Sequence, residues 1–385
     1  MLLGGFRAST TRLLLVAIVV VSSFVATSTA SAAMTDLGTL GGPNSSATAI
    51  NAFGQVTGTA GLPAGDPGCV FGTFNGACTH AFRWTPSRGM RDLGRLTFPD
   101  SAGAAINDLG QVTGSADLDG FVWTRTGGMQ QIGLSGSASV GGVGINDLGQ
   151  VVGTGGQNMF PVAFRWTRSG GTQILVLYTS GSPVSSGAAI NDLGQVVGSS
   201  LTCFLCATRQ LDAFRWTPSG GIEDLGPGRA TAINDLGQIA GTTGAGHAFR
   251  WTPTGGMQDL GTLGGATSSA VAINLLGEVA GTSDTARGAQ HAFLWTPWRG
   301  MVDLGTLGGT NSSASGINAL GQVVGTSDKA DGTSHAFRWT PTRGMQDLGT
   351  LGGPNSSAAA INVLGQVVGT ADTADGSQHA FRWTP

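Results

Sequence analysis

Three short motifs recur in the same order eight times along this 385-residue chain, and that recurrence limits the fold more than any other feature. An Ile-Asn-x-x-Gly segment begins at Ile50, Ile106, Ile145, Ile190, Ile233, Ile273, Ile317 and Ile361. A Phe-x-Trp pair ends at Trp84, Trp123, Trp166, Trp216, Trp251, Trp295, Trp339 and Trp383. An Asp-Leu-Gly-like segment starts at Asp36, Asp92, Gln131, Ile174, Asp224, Asp259, Asp303 and Asp347. Length alone would predict two or three domains. A repeat of this period overrides that estimate, because each unit can bury its apolar face only against a neighbour.

Each unit divides into four short runs. In the last one Ala358-Ala359-Ala360-Ile361 is apolar, and Asn362-Val363-Leu364-Gly365 has the Asn and Gly of a type I turn. Gln366-Val367-Val368-Gly369 is rich in β-branched residues, and Phe381 and Trp383 sit two apart on one strand face. In complete units a Pro/Gly loop such as 341–344 leads to Met345-Gln346-Asp347-Leu348. These are strands a, b, c and d. No run keeps a 3.6-residue period, so no helix is expected beyond the leader. Four strands in about 44 residues, eight times over, predict an all-β, eight-bladed β-propeller over residues 34–385. Both faces of a blade pack on neighbours, which accounts for a charged fraction of only 11%.

After the leader the chain opens on a d segment, Met34 to Gly38, and finishes on a c segment, Phe381 to Pro385. Pairing these two would complete the eighth blade and close the ring, hiding an edge that an open array would leave free. A four-residue c–d loop places Arg338 opposite Asp347, Arg83 opposite Asp92, Arg215 opposite Asp224 and Arg250 opposite Asp259. Val122 and Gln131 replace both partners in one blade, while Arg165/Ile174 and Leu294/Asp303 break the pattern. The same register pairs Asp36 with Arg382 across the closure.

Residues 1–33 read as a cleaved signal peptide. Arg7 and Arg12 precede an apolar run from Leu13 to Ala26, and Ala30-Ser31-Ala32 offers cleavage after Ala32 or Ala33. The run is too short to span a membrane, so a secreted, extracellular protein with no membrane span after processing is expected, and a monomer. Export makes disulfides the default reading of Cys69, Cys78, Cys203 and Cys206, each pair within its own insertion. A net charge of −3 and no basic stripe argue against nucleic acid. Only Glu223 and Glu278 represent glutamate, which argues against a Glu-based hydrolase.

His80-Ala81-Phe82, His247-Ala248-Phe249, His291-Ala292-Phe293, His335-Ala336-Phe337 and His379-Ala380-Phe381 open strand c in five units. Asp-Leu-Gly-Thr-Leu-Gly-Gly follows at Asp36, Asp259, Asp303 and Asp347. In these blocks the mature chain resembles the bacterial extracellular repeat family named for the His-Ala-Phe (HAF) triplet. Gly120-Phe121, Val162-Ala163-Phe164 and Asp212-Ala213-Phe214 depart from it. The resemblance implies an exported repeat protein and carries over no reaction, ligand or functional residue.

Chemistry is hard to place on so repetitive a chain. A catalytic histidine is coupled to a unique partner, whereas all five here fill one repeated slot, so they read as structural. The strand-c aromatics read as interblade core. The Gly-Gly pairs lack the helix that a phosphate cradle needs, and Asp328-x-x-Asp331-Gly332 lacks calcium-loop spacing. No cofactor and no metal are expected. Loop length gives the one directional hint. The a–b and c–d connections are constant, but b–c holds six residues between Gly114 and Phe121 and twenty-three between Gly58 and Phe82. The d–a connection also varies. Binding residues favour variable loops on a rigid scaffold, which puts the candidate surface on the b–c/d–a face: Asp66, Phe71, Phe74, Phe98, Asp100, Asp117, Asp119, Phe160, Tyr178 and Phe204. The expected function is a non-enzymatic binding scaffold for an extracellular glycan or protein. An extracellular hydrolase or lyase using loop Asp residues stays open, as does a purely structural envelope component.

Overall fold

The computed structural model describes residues 32–66, 69, 78–97, 99–116, 118–133, 141–157, 160–177, 184–201 and 210–385. The signal-peptide reading falls almost wholly outside these residues, as do Phe71, Phe74, Phe98, Asp117, Tyr178, Cys203, Phe204 and Cys206. Everything described is strand, turn or loop, with no α-helix.

Eight antiparallel blades are formed in sequence order. The first comprises strands a Ser45–Ile50, b Val56–Gly61, c Thr79–Thr85 and d Gly89–Asp92. Blades 4 and 5 share one continuous strand, Gly221–Ile233, which serves as d of the former and a of the latter and merges the two sheets. Blade 8 takes a Gly352–Ile361, b Val367–Thr373 and c Gln378–Thr384 from the C-terminus and its d strand, Ala33–Asp36, from the other end of the chain. Thr35 lies opposite Arg382 in that pairing and Asp36 opposite Phe381.

That register corrects the expected Arg–Asp pairs by one residue everywhere. Arg338 faces Gln346, Arg83 faces Arg91, Arg215 faces Glu223 and Arg250 faces Gln258. The cause is the c–d turn. Thr340 pairs with Gly344, so three residues rather than four make the loop, and Gly344 closes it at φ 67°. A three-residue hairpin ending in a left-handed glycine is a common closure, and a one-residue slip moves every side chain to the opposite face. Released from arginine, the aspartates bind the His-Ala-Phe histidines. His379 Nδ1 lies 2.8 Å from Asp36 across the closure, and His80, His247, His291 and His335 hold Asp92, Asp259, Asp303 and Asp347 at 2.7–2.9 Å.

The arginines turn instead to the next blade. Arg382 stacks 4.7 Å from the Trp84 ring, and Arg83, Arg165, Arg215, Arg250 and Arg338 lie 4.8–6.0 Å from Trp123, Trp216, Trp251, Trp295 and Trp383. Beneath them the strand-c phenylalanines, from Phe82 to Phe381, are fully buried in all eight blades. Strand b passes them on glycine: a side chain on Gly325 or Gly369 would strike the Ser313 or Ser357 carbonyl of strand a. Alternation puts b–c loops and d–a connections on one face of the disc and a–b turns with c–d loops on the other.

Candidate functional site

The a–b turn is the element that builds a site, and it does so eight times. Asn51 shows how. Its Oδ1 accepts the amides of Phe53 and Gln55, and its carbonyl accepts the Gly54 amide. Its Nδ2 donates to Gln55 Oε1 and to the carbonyl of Asn107 in the next blade, at 2.9 Å. The relay continues through Asn107, Asn146, Asn191, Asn234, Asn274 and Asn318 to Asn362, whose Nδ2 donates to the Asn51 carbonyl at 3.1 Å. Eight buried asparagines thus form a closed circle of hydrogen bonds at one end of the central channel.

Above that circle the residues after each asparagine differ, and they split the mouth in two. Blades 2 to 5 present Asp108, Asp147, Asp192 and Asp235; blades 6 to 8 and 1 present Leu275, Ala319, Val363 and Ala52. They enclose a cavity of about 450 Å³ whose lining contains no arginine, lysine or histidine. Each carboxylate accepts the amide of the preceding blade, Ala52 to Asp108 and onward to Asp235, at 2.8–2.9 Å. Burial, then the charges of Asp235, Asp147 and Asp108, push the Asp192 carboxyl above its ordinary value even though the Asp147 amide bonds to it.

The third turn residue forms an outer ring. Phe53, Leu109, Leu148, Leu193, Leu236, Leu276, Leu320 and Leu364 are each 56–69% exposed. Scattered apolar side chains on a surface need no explanation, but one at the same turn position in all eight blades is a pattern that calls for one.

Of the residues singled out on the b–c/d–a face, Asp66, Asp100, Asp119 and Phe160 are among the described residues. Asp66 lies in the first b–c loop, where its carbonyl accepts the Cys69 amide, and Cys69 is bonded to Cys78 as a disulfide. Asp100 binds the Thr79 amide at 2.8 Å, which fixes the start of strand c. Asp119 and Phe160 are the first residues of strand c in blades 2 and 3. None of the four lines the channel mouth. Loop length could not have revealed the mouth, because these turns never change length. The signal lay in the two variable letters of Ile-Asn-x-x-Gly: acid in four consecutive units, and a large apolar residue where a surface turn ordinarily carries a polar one.

No family model and no curated protein matches the sequence. Solved structures resemble the fold at low identity. A streptogramin B lyase is 14% identical, with 75% of this chain and 96% of that one covered and a TM-score of 0.47. A lectin from Burkholderia pseudomallei is 11% identical, covering 74% and 93% at 0.42, and TolB from Acinetobacter baumannii is 11% identical, covering 74% and 79% at 0.37. These similarities concern architecture alone.

Proposed function

We propose that this chain is an exported, non-catalytic propeller that docks a protein partner on its a–b/c–d face. The observation that carries the reading is the ring of eight exposed apolar residues around a mouth that is acidic on one half. A protein segment fits best: apolar side chains cover the ring while a lysine or arginine reaches the carboxylate arc. A second copy would set four carboxylates against four. A glycan would want aromatic platforms, and the ring offers one phenylalanine among seven leucines. The equivalent placement of the carboxylates, each already accepting a neighbour's amide, fits recognition better than acid–base work. Export rests on the leader sequence, the resemblance to an extracellular repeat family and the Cys69–Cys78 disulfide. We place the site on the uniform face rather than the variable one.

The test uses secreted protein and two designed peptides, one alternating Lys and Leu, the other Glu and Leu. Calorimetry should show binding of the first only, weakened about tenfold in a Leu193→Ser/Leu236→Ser double variant, a loss of roughly 1.4 kcal/mol. Equal binding of both peptides, or no loss in the variant, overturns the reading. So does concentration-dependent dimerisation that the same substitutions abolish, or a glycan that binds competitively at the mouth.

A further inference from the structure

Blade 1 breaks the repeat where the c–d loop meets the next blade. Arg83 on strand c lies directly opposite Arg91 on strand d. Like charges in that relation destabilise an antiparallel pair. The same position holds Glu223, in an ion pair with Arg215 at 3.4 Å, in blade 4, and Gln258 or Gln346 in blades 5 and 7. The fold therefore accepts a neutral or acidic residue here, and blade 1 has neither.

Two further arginines join the pair. Arg88 from the same c–d loop and Arg125 from the loop of blade 2 line a cavity of about 330 Å³ with Arg83 and Arg91, and no acidic residue lines it. None of the four makes an ion pair among the described residues. Both Arg83 and Arg91 lie over the Trp123 ring, at 6.0 and 5.2 Å. Burial first, then the charges of Arg125, Arg91 and Arg88, hold the Arg83 guanidinium below its ordinary range. The cavity also contains an unanswered hydroxyl. In blades 2 to 7 the equivalent Thr124, Thr167, Thr217, Thr252, Thr296 and Thr340 each accept an amide within their own turn. Thr85 Oγ1 is buried without a partner. Arg83 Nε is likewise buried and unpartnered, a property it shares with four equivalent arginines, so Thr85 and Arg91 are what set this blade apart.

We infer that this cavity binds an anionic oxyanion group, a phosphate or a sulfate, with Arg83, Arg88, Arg91 and Arg125 supplying the charge and Thr85 a hydroxyl donor. Guanidinium forks match such oxygens in geometry as well as charge. The cavity is roomy for a bare ion, so an ester of phosphate or sulfate on a larger molecule suits it. This inference is independent of the partner proposed for the channel mouth.

The test titrates the protein with inorganic pyrophosphate, sulfate and a hexose 6-sulfate, reading calorimetry and tryptophan fluorescence. Arg91→Gln installs the residue blades 5 and 7 already carry and so should fold. Arg343→Gln, in the blade 7 loop at the position equivalent to Arg88, is the control. At least one anion should bind the native protein at low salt, with affinity falling as salt rises. Arg91→Gln should weaken it at least tenfold while raising the melting temperature without anion, since it removes a like-charge pair; Arg343→Gln should leave binding unchanged. The inference is overturned if none of the three anions binds, if Arg91→Gln binds as the native protein does, or if both variants lose affinity equally. Preference for pyrophosphate over the sulfate probes would assign the group as phosphate, and the reverse as sulfate.

Discussion

The two faces of the disc teach opposite lessons about where a repeat protein differs from itself. On the b–c/d–a face the backbone varies, from six residues to twenty-three between strand b and strand c. Several of its described side chains bond back into the fold, as Asp100 does to Thr79 and each strand-c histidine to its aspartate. On the a–b/c–d face the a–b turn keeps one length in all eight blades and the c–d loop in the seven that have one. There single substitutions produce the acidic half-mouth, the apolar ring and the four-arginine cavity. An invariant turn is a fixed mount, so changing one side chain changes the chemistry without disturbing the geometry. Variation in loop length is also what tolerance to insertion alone would leave.

The comparison predicts that the uniform face is the costlier one to disturb. Asn234→Ala removes acceptors for the Leu236 and Gln238 amides and the donor to Gln238 Oε1 and the Asn274 carbonyl. Two or more buried groups are orphaned at roughly 1–3 kcal/mol each, so a loss of about 3 kcal/mol is expected in denaturant unfolding. On the other face, Cys69→Ser/Cys78→Ser opens a loop of sequence separation 9, for which loop-closure entropy gives about 2–3 kcal/mol. A larger loss from the cysteine pair than from the asparagine would break the comparison.

Much of this architecture is legible in the sequence. Eight units of four strands and the pairing of the first d strand with the last c strand follow from periodicity and from where each motif falls. The register did not. Gly344 looks like any loop glycine in sequence, yet its left-handed φ shortens the turn by one residue and exchanges Asp347's partner from Arg338 to His335. The candidate site was hidden for a related reason. Leu193 and Asp192 sit inside a motif whose constancy reads as purely structural, and neither their ring nor their arc exists until the blades are placed in a circle.

A smaller effect separates the faces by pH. On the variable face, burial pushes the Asp92 carboxyl up, but bonds from His80 and the Gly94 amide hold it below the usual range. Burial lowers the His80 pKa, and the Asp92 hydrogen bond and charge more than reverse it. Asp92 therefore stabilises above its unfolded value of 3.8, and that contribution fades as pH falls through the lower folded value. His80 stabilises below its unfolded value of 6.5, a contribution lost as pH rises through the higher folded one. The pair acts most strongly between those two values. Asp92→Asn should cost about 1 kcal/mol near pH 5–6 and less at pH 8, with the exposed side of Asp92 screening the rest.

Asp192 should show the reverse sign on the uniform face. Its folded pKa lies above the unfolded one, so the folded state gives up its proton later than the unfolded chain. The resulting cost is absent at low pH, grows as pH rises from 3.8 through the folded value, and is constant beyond it. Asp192→Asn removes the charge but keeps an oxygen to accept the Asp147 amide. It should therefore stabilise at pH 7 and change nothing at pH 3. Because the side chain is only partly buried, solvent screening reduces the gain to a few tenths of a kcal/mol. The size matters less than the sign. A mutation that stabilises by neutralising one of four neighbouring carboxylates means the arc is kept at a cost to the fold, as expected of a surface that meets a cation. Loss of stability in Asp192→Asn at pH 7 would make the arc a structural belt, and the two faces would then differ only in the lengths of their loops.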